Sequence, residues 1–161
     1  MKTVQAAALG SILTLAASLL LGVGAARADD VAFGPRLGYT HDTNLDQIHF
    51  GGQVAFRNIS SNLHVVPSLE LGLGDGSLLA LNGDLVWEFT EMASGGWSYY
   101  AGGGPLLSHY KRNRHSSTDF ALSLVAGFTR ELKADRAWFG EVRLGLEDAP
   151  VLKLTVGLFF Y

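Results

Sequence analysis

The stretch LHVVPSLELGLG, residues 63–74, alternates large apolar side chains with small or charged ones. Leu69, Leu71 and Leu73 fall on one side of an extended chain, whereas Glu70 and two glycines fall on the other. Successive side chains of a β-strand point to opposite faces of the sheet. This period of two therefore predicts a strand that separates an apolar environment from one that holds small and charged groups.

The same alternation of large apolar side chains with small or charged ones recurs along residues 31–161, in stretches of about ten residues separated by turn residues. Strands are predicted over residues 31–40, 48–57, 63–74, 78–90, 97–107, 120–129, 138–147 and 152–160. Repeated segments of this kind are typical of transmembrane barrels, in which lipid-facing and lumen-facing side chains alternate. The sequence therefore predicts an all-β fold, an eight-stranded antiparallel up-and-down transmembrane β-barrel.

The N-terminal segment predicts export. Lys2 precedes an uncharged, mostly apolar run from Ala6 to Ala26, and Ala26-Arg27-Ala28 has the small-x-small form of a signal-peptidase site. We expect residues 1–28 to be a helical signal peptide and residues 29–161 to be the barrel domain; a retained membrane helix is the alternative. The chain has no cysteine, which excludes disulfides and a lipid-modified cysteine.

A soluble barrel of the lipocalin kind, with its apolar face turned inward around a ligand, could show the same alternation. The 20 glycines favour the membrane barrel, because repeated glycine weakens a strand that faces water but fits a narrow eight-stranded lumen. The formal net charge is −3 at pH 7. Without an overall basic field, we expect no nucleic-acid partner.

Charged side chains fall on the face that carries the glycines. Buried charges persist only when they are paired and hydrogen-bonded, so we predict an ion-pair network inside the lumen. Its predicted members are Arg36, Arg57, Glu70, Asp84, Glu88, Glu141, Arg143 and Lys153.

Aromatic residues cluster towards one end of the predicted strands, the end where both termini lie. Such a cluster is typical of an interfacial girdle, which we place on the periplasmic side. Its predicted members are Phe33, Phe56, Trp87, Phe89, Trp97, Tyr99, Phe128, Trp138, Phe160 and Tyr161.

The chain ends in Val156-Gly157-Leu158-Phe159-Phe160-Tyr161, an alternating strand with an aromatic last residue. Together with the eight predicted strands, this ending resembles the small outer-membrane β-barrel family of Gram-negative bacteria, similar to the OmpA transmembrane domain and OmpX. The resemblance implies a monomer in the cell outer membrane, inserted by the barrel-assembly machinery and in contact with outer-membrane lipid and lipopolysaccharide. Family members usually end in phenylalanine, so the register of the last strand stays open by one residue.

The predicted outer loop of residues 108–118 carries the basic cluster of the chain. Lys111, Arg112 and Arg114 could bind lipopolysaccharide phosphates through charge-assisted hydrogen bonds, but we favour a solvated polar loop. His115 and Ser117 superficially resemble the His-x-Ser pair of outer-membrane lipid A deacylases. In those enzymes the pair lies on a strand and a carboxylate orients the histidine, so a loop position argues against this chemistry.

The first outer loop offers His41, Asp42, Asp46 and His49, which could gather round a metal. Their spacing is not diagnostic and polar turn residues explain them better, so we predict no metal site and no cofactor.

Pro35, Pro67 and Pro105 lie inside predicted strands, where each removes a hydrogen-bond donor from the ladder. We expect local bulges or a poorly closed seam at these positions.

These observations predict a non-enzymatic outer-membrane barrel with a structural or surface-interaction role in the cell envelope. The alternatives are a lipid A-modifying enzyme and a soluble periplasmic barrel that binds a lipid.

Overall fold

The computed structural model describes residues 30–42, 45–74, 76–90, 95–112, 115–133, 135–146 and 152–161, without the side chains of residues 45, 58, 112, 115 and 133. The predicted signal peptide, residues 1–28, lies outside the described residues. Within these ranges, no helix is long and apolar enough to cross a membrane.

Antiparallel strands form one closed barrel in chain order, and β1 completes it by pairing with β8. The strands are β1 (Val31–Asp42), β2 (Leu45–Ser60), β3 (Leu63–Gly74), β4 (Ser77–Glu88), β5 (Trp97–Arg112), β6 (His115–Lys133), β7 (Arg136–Leu146) and β8 (Leu152–Phe160). The predicted all-β, eight-stranded antiparallel architecture is confirmed. We call the end of the barrel where β1 begins and β8 ends the terminal end, and the opposite end the distal end.

The hairpin of β5 and β6 is longer than predicted, and the predicted loop over residues 108–118 is wrong. Ser108 pairs with Asp119 and Lys111 pairs with Ser116, so the ladder continues to Arg112 and His115. The sequence pattern missed this extension because the residues are polar on both faces of the hairpin and show no apolar alternation.

Large apolar side chains point away from the barrel axis. Phe120 is 67% exposed and Ile48 is 60% exposed, whereas Arg143 and Lys153 on the inner face are each 1% exposed. This orientation contradicts the soluble-barrel alternative, which requires the apolar face to surround an internal ligand.

Aromatic rings lie over glycines on three consecutive strand pairs. In each case the ring and the glycine are direct cross-strand partners, and a Cβ added to the glycine would lie 2.5–2.6 Å from a ring carbon. Rings that cover glycines in this way fix the register of twisted sheets. The ring–glycine pairs are Tyr100 with Gly127, Phe128 with Gly140, and Phe139 with Gly157.

The three prolines interrupt the hydrogen-bond ladders without bulging the strands, so the predicted bulges are wrong and the predicted poorly closed seam is what the structure shows. Pro35 stays in register with Gly52 of β2, while the β1–β8 ladder skips it and resumes with no shift. The β2–β3 ladder skips Pro67 in the same way, and the β4–β5 ladder skips Pro105. The donor that each proline lacks therefore removes strand pairing on one side of its strand, while the pairing on the other side is kept.

Register shifts occur near turns at the terminal end instead. One lies between Phe56 and Ser60 of β2, and the other lies between Glu131 and Lys133 of β6. At a strand end, extra residues can be accommodated without moving the side chains of the lumen.

The structure settles the orientation of the last strand. The Phe160 ring contacts the outward Phe33 ring, with centroids 6.1 Å apart. Phe159 is 8% exposed and packs inside against Phe139, with centroids 5.1 Å apart. Phe160 therefore shares the outer apolar face, and Tyr161 follows beyond the strand.

Candidate functional site

Charged side chains form one chain of alternating sign across the middle of the lumen, which we call the alternating chain. Its six members, in order of contact, are Lys153, Glu70, Arg36, Glu141, Arg143 and Asp84. Three cations and three anions leave the set neutral, as burial in a narrow lumen requires.

Glu70 links the first two cations. Lys153 Nζ donates to Glu70 Oε2 at 2.6 Å, and Arg36 Nε lies 3.0 Å from Glu70 Oε1. The side chains of all three residues are at most 1% exposed. Glu70 therefore neutralises charges from β1 and β8, although it lies on β3.

Glu141 continues the alternating chain to the other arginine. Its Oε1 accepts from Arg36 Nη2 at 2.8 Å and from Arg143 Nη2 at 3.1 Å. Arg143 Nη1 then donates to Asp84 Oδ1 at 2.7 Å, and the second nitrogen donates to Oδ2. This two-point contact between β7 and β4 joins opposite walls of the barrel, with the planar geometry that favours arginine over lysine.

Neutral side chains make three further hydrogen bonds with the alternating chain. Arg36 Nη1 donates to Gln53 Oε1 at 2.9 Å, Tyr100 Oη donates to Glu141 Oε2 at 3.2 Å, and Arg143 Nη1 donates to Ser123 Oγ at 2.8 Å. The sequence prediction named only charged residues and missed these partners. Their inward position in the strand alternation is the signal that would have found them.

The structure does not bring Arg57 and Glu88 into the alternating chain, although both were predicted members. Glu88 Oε2 lies 3.0 Å from His64 Nε2. The Arg57 guanidinium lies 4.8 Å from the centre of the Tyr161 ring. Both residues lie nearer the terminal end, where they line the rim of a cavity.

That cavity has a volume of about 70 Å³ and lies between the alternating chain and the terminal end. Ala55, Val86 and Phe159 contribute to its apolar wall, and Asp84 and Glu141 border it on the side of the alternating chain. A space of this size holds a small number of water molecules.

The distal half of the lumen is closed by neutral groups. His49 is fully buried and its two ring nitrogens lie 2.8 Å from Thr40 Oγ1 and 3.0 Å from Thr155 Oγ1. Beyond it, the apolar side chains of Leu78 and Leu106 are packed together. His49 is therefore a structural lumen residue.

The residues considered for a metal do not converge. His41 Nδ1 lies 2.7 Å from Asp46 Oδ1 at the exposed distal end, while His49 lies in the lumen. Among the described residues, no group of three or more His, Asp or Glu side chains is placed to hold a metal ion.

The basic cluster lies at the tip of the β5–β6 hairpin. Lys111 is exposed on β5, and the backbone of Arg112 pairs with His115. Arg114 and the side chain of Arg112 lie outside the described part of the chain. His115 and Ser117 lie on β6 and not in a loop, so the argument from a loop position against the deacylase-like pair is wrong. The Ser117 hydroxyl donates to Asp119 at 2.9 Å.

Solved structures share this barrel. The N-terminal β-barrel domain of Pseudomonas aeruginosa OprF matches with a TM-score of 0.62 and 12% identity, covering 81% of this chain and 96% of that one. The chain has the fold of a small outer-membrane β-barrel. Neisserial surface protein A (NspA) matches with a TM-score of 0.59 and 10% identity, covering 81% and 94%.

Ail, the attachment invasion locus protein of Yersinia pestis, matches this outer-membrane-type barrel with a TM-score of 0.51 and 13% identity, covering 81% and 95%. No family model matches the chain, and no curated protein matches it. At such low identities the likeness concerns the fold, and small barrels of one architecture carry different functions.

Proposed function

We propose that the protein is a non-enzymatic β-barrel of the outer membrane that serves the structure of the cell envelope or a surface interaction. The observation that carries this proposal is the reversed polarity of the barrel. Apolar side chains such as Phe120 and Leu124, 67% and 52% exposed, cover the outside, while paired charges fill the inside. Hydrocarbon solvates such an exterior, whereas water would not.

Export by a signal peptide over residues 1–28, insertion by the barrel-assembly machinery and a monomeric state belong to the same proposal. The terminal end then faces the periplasm and the distal end faces outward, since both termini of an even-stranded barrel lie on the periplasmic side. The aromatic residues at the end of β8, Phe160 and Tyr161, support recognition by that machinery.

A structural role is favoured over transport, because the alternating chain crosses the lumen and packed side chains occupy the lumen on its distal side. Conduction requires a continuous water-filled path. Arg143 and Lys153 are among the largest fully buried side chains, so they occupy space that such a path would need.

The surface interaction that we propose is with lipopolysaccharide phosphates at the tip of the β5–β6 hairpin. Lys111 is exposed there, and Arg112 and Arg114 are its neighbours in sequence. The hairpin carries Lys111 above the outward apolar band, at the level expected of lipid A phosphates and core sugars. The bond from Ser117 to Asp119 offers no support for a deacylase-like role of that serine.

Fractionation with heat-modifiable gel mobility tests the proposed location. We expect the mature chain in the outer-membrane fraction, with a folded band that migrates differently before and after boiling. Recovery in the aqueous fraction after osmotic shock would contradict the proposal. Lipopolysaccharide binding by the purified barrel should weaken in Lys111→Gln, while Asp135→Asn at the opposite end serves as the control.

A further inference from the structure

A groove crosses the outer surface of the barrel from β6 to β2. Small side chains form much of its floor, including Ala126, Val142 and Val156. Phe128 bounds it at the β6 side, and Tyr39 and Ile48 bound it at the β2 side. The groove is a shallow apolar depression among larger outward leucines and aromatic rings.

A cation and three aromatic rings lie at the β6 side of this groove. The Trp97, Phe128 and Trp138 rings contact one another with centroids 5.0–5.7 Å apart. The Arg130 guanidinium lies 4.9 Å from the centre of the Trp97 ring, which holds it at the outer surface. Phe128 belongs both to this cluster and to the groove.

The groove follows one row of directly paired residues on neighbouring strands. Ala126 pairs with Val142, which pairs with Leu154, and Leu154 pairs with Tyr39 of β1. With Ile48 of β2 the row crosses four strand spacings, which is roughly 19 Å at about 4.8 Å each. At a strand tilt of about 40° such a row rises by roughly 12 Å from Ala126 towards the distal end.

We propose that this groove binds one acyl chain of an inner-leaflet phospholipid whose phosphate contacts Arg130. The inference rests on the outer-membrane location proposed above, because that location places the terminal end at the periplasmic leaflet. Charge complementarity selects the occupant, because a guanidinium beside interfacial indoles fits a phosphate. The apolar row begins at Ala126, four residues along β6 from Arg130, and Phe128 lies between them. Lipid A is disfavoured, because its phosphates lie at the opposite leaflet.

Fluorescence quenching by a lipid with a brominated acyl chain tests this site. The chain has three tryptophans, and Trp87→Phe leaves Trp97 and Trp138 as the reporters. Brominated phosphatidylglycerol, titrated into the folded barrel in detergent micelles, should quench them saturably at one lipid per barrel. Arg130→Gln should raise the half-saturating lipid concentration roughly fivefold, the effect of one basic residue near an anionic lipid.

Arg136→Gln removes a surface cation at the terminal end that already pairs with Asp135 at 3.0 Å, and it should leave the titration unchanged. Val142→Phe fills the groove and should also weaken binding, whereas Leu124→Phe, at an outward position outside the groove, should not. Heat-modifiable mobility verifies that each variant is folded. Quenching that never saturates, or equal affinity in the original barrel and Arg130→Gln, would overturn the proposal; unchanged binding in Val142→Phe would overturn the groove as the acyl-chain site.

Brominated lipid A added in place of phosphatidylglycerol gives a further arm. Quenching of Trp97 and Trp138 that saturates at a lower concentration of lipid A than of phosphatidylglycerol would overturn the assignment to an inner-leaflet phospholipid. The outer-membrane location is tested separately by fractionation, so a barrel found in the outer membrane without saturable quenching would refute the lipid site and leave the proposed function standing.

Discussion

Replacing Glu70 by glutamine should strongly lower the free energy of unfolding of the barrel. Glu70 contacts both Lys153 and Arg36, and all three side chains are at most 1% exposed. In Glu70→Gln, Arg36 keeps Glu141 at 2.8 Å, but Lys153 loses the carboxylate that neutralises it. Removing one partner of a buried ion pair costs about 3–5 kcal/mol, because the other charge is left uncompensated.

The partner substitution should cost much less. Lys153→Met removes the charge that needs compensation, and Glu70 keeps Arg36 at 3.0 Å. We expect a loss of roughly 1 kcal/mol for Lys153→Met and about 3 kcal/mol for Glu70→Gln, with the double variant near the smaller value. The coupling between the two sites would then be roughly 2–3 kcal/mol.

Urea unfolding in phospholipid vesicles, followed by tryptophan fluorescence and heat-modifiable mobility, measures these losses. A loss of 3 kcal/mol corresponds to a midpoint shift of roughly 1–3 M urea. Asp135→Asn is the matched control: Asp135 pairs with Arg136 at 3.0 Å on the surface, and the hydrogen bond from Arg136 lowers the pKa of its carboxyl group. It is therefore ionised near neutral pH, yet its removal leaves no buried charge.

Two results would refute this reasoning. Equal midpoints for Glu70→Gln and Asp135→Asn would mean that water hydrates the lumen charges as well as it hydrates the surface pair. Strict additivity of Glu70→Gln and Lys153→Met would mean that the contact at 2.6 Å contributes nothing specific to stability.

Further predictions concern the backbone and the lumen. Gly127→Ala should lower the free energy of unfolding by roughly 1–3 kcal/mol by overpacking, since its Cβ would lie 2.6 Å from the Tyr100 ring. Gly52→Ala is the control and should not lower it, because the nearest atom to the added Cβ lies at 3.8 Å. Equal urea midpoints for the two variants would contradict this. Pro35→Val adds a donor where the β1–β8 ladder is skipped and should raise stability by about 1 kcal/mol; an unchanged or lower midpoint would count against it. Single-channel recordings of the original barrel should show no conductance steps, and Arg36→Ala should produce them; steps in both, or in neither, would contradict a lumen closed by side chains.

The sequence predicts the fold well because the two faces of each strand meet different surroundings. All eight strands and the inward position of Arg36, Glu70 and Arg143 follow from the period of two. The distal ends of β5 and β6 do not, because beyond the apolar band both faces of a hairpin meet water. No environmental contrast then marks residues 108–118 as strand.

Which charges meet inside the lumen could not be predicted in the same way. Glu70 meets Lys153 although β3 and β8 are not neighbours, since contacts across a barrel depend on strand stagger and tilt. Arg57 and Glu88 lie on the lumen-facing side of their strands, but they are too near the terminal end to join the alternating chain. At the prolines the sequence left a bulge or a poorly closed seam open, and the structure shows the seam. A missing donor interrupts one ladder, but the opposite ladder of the same strand maintains the register.

The ring–glycine pairs have a consequence for how this barrel can change during evolution or engineering. A slip of β6, β7 or β8 by two residues would preserve which side chains face outward, yet it would carry each ring away from its glycine and leave it without the space that the missing Cβ provides. Even-numbered insertions within these strands should therefore be as harmful as odd-numbered ones. Peptide tags and grafted epitopes are better placed at the distal hairpin tips, because extra residues there do not change the contact between each ring and its glycine.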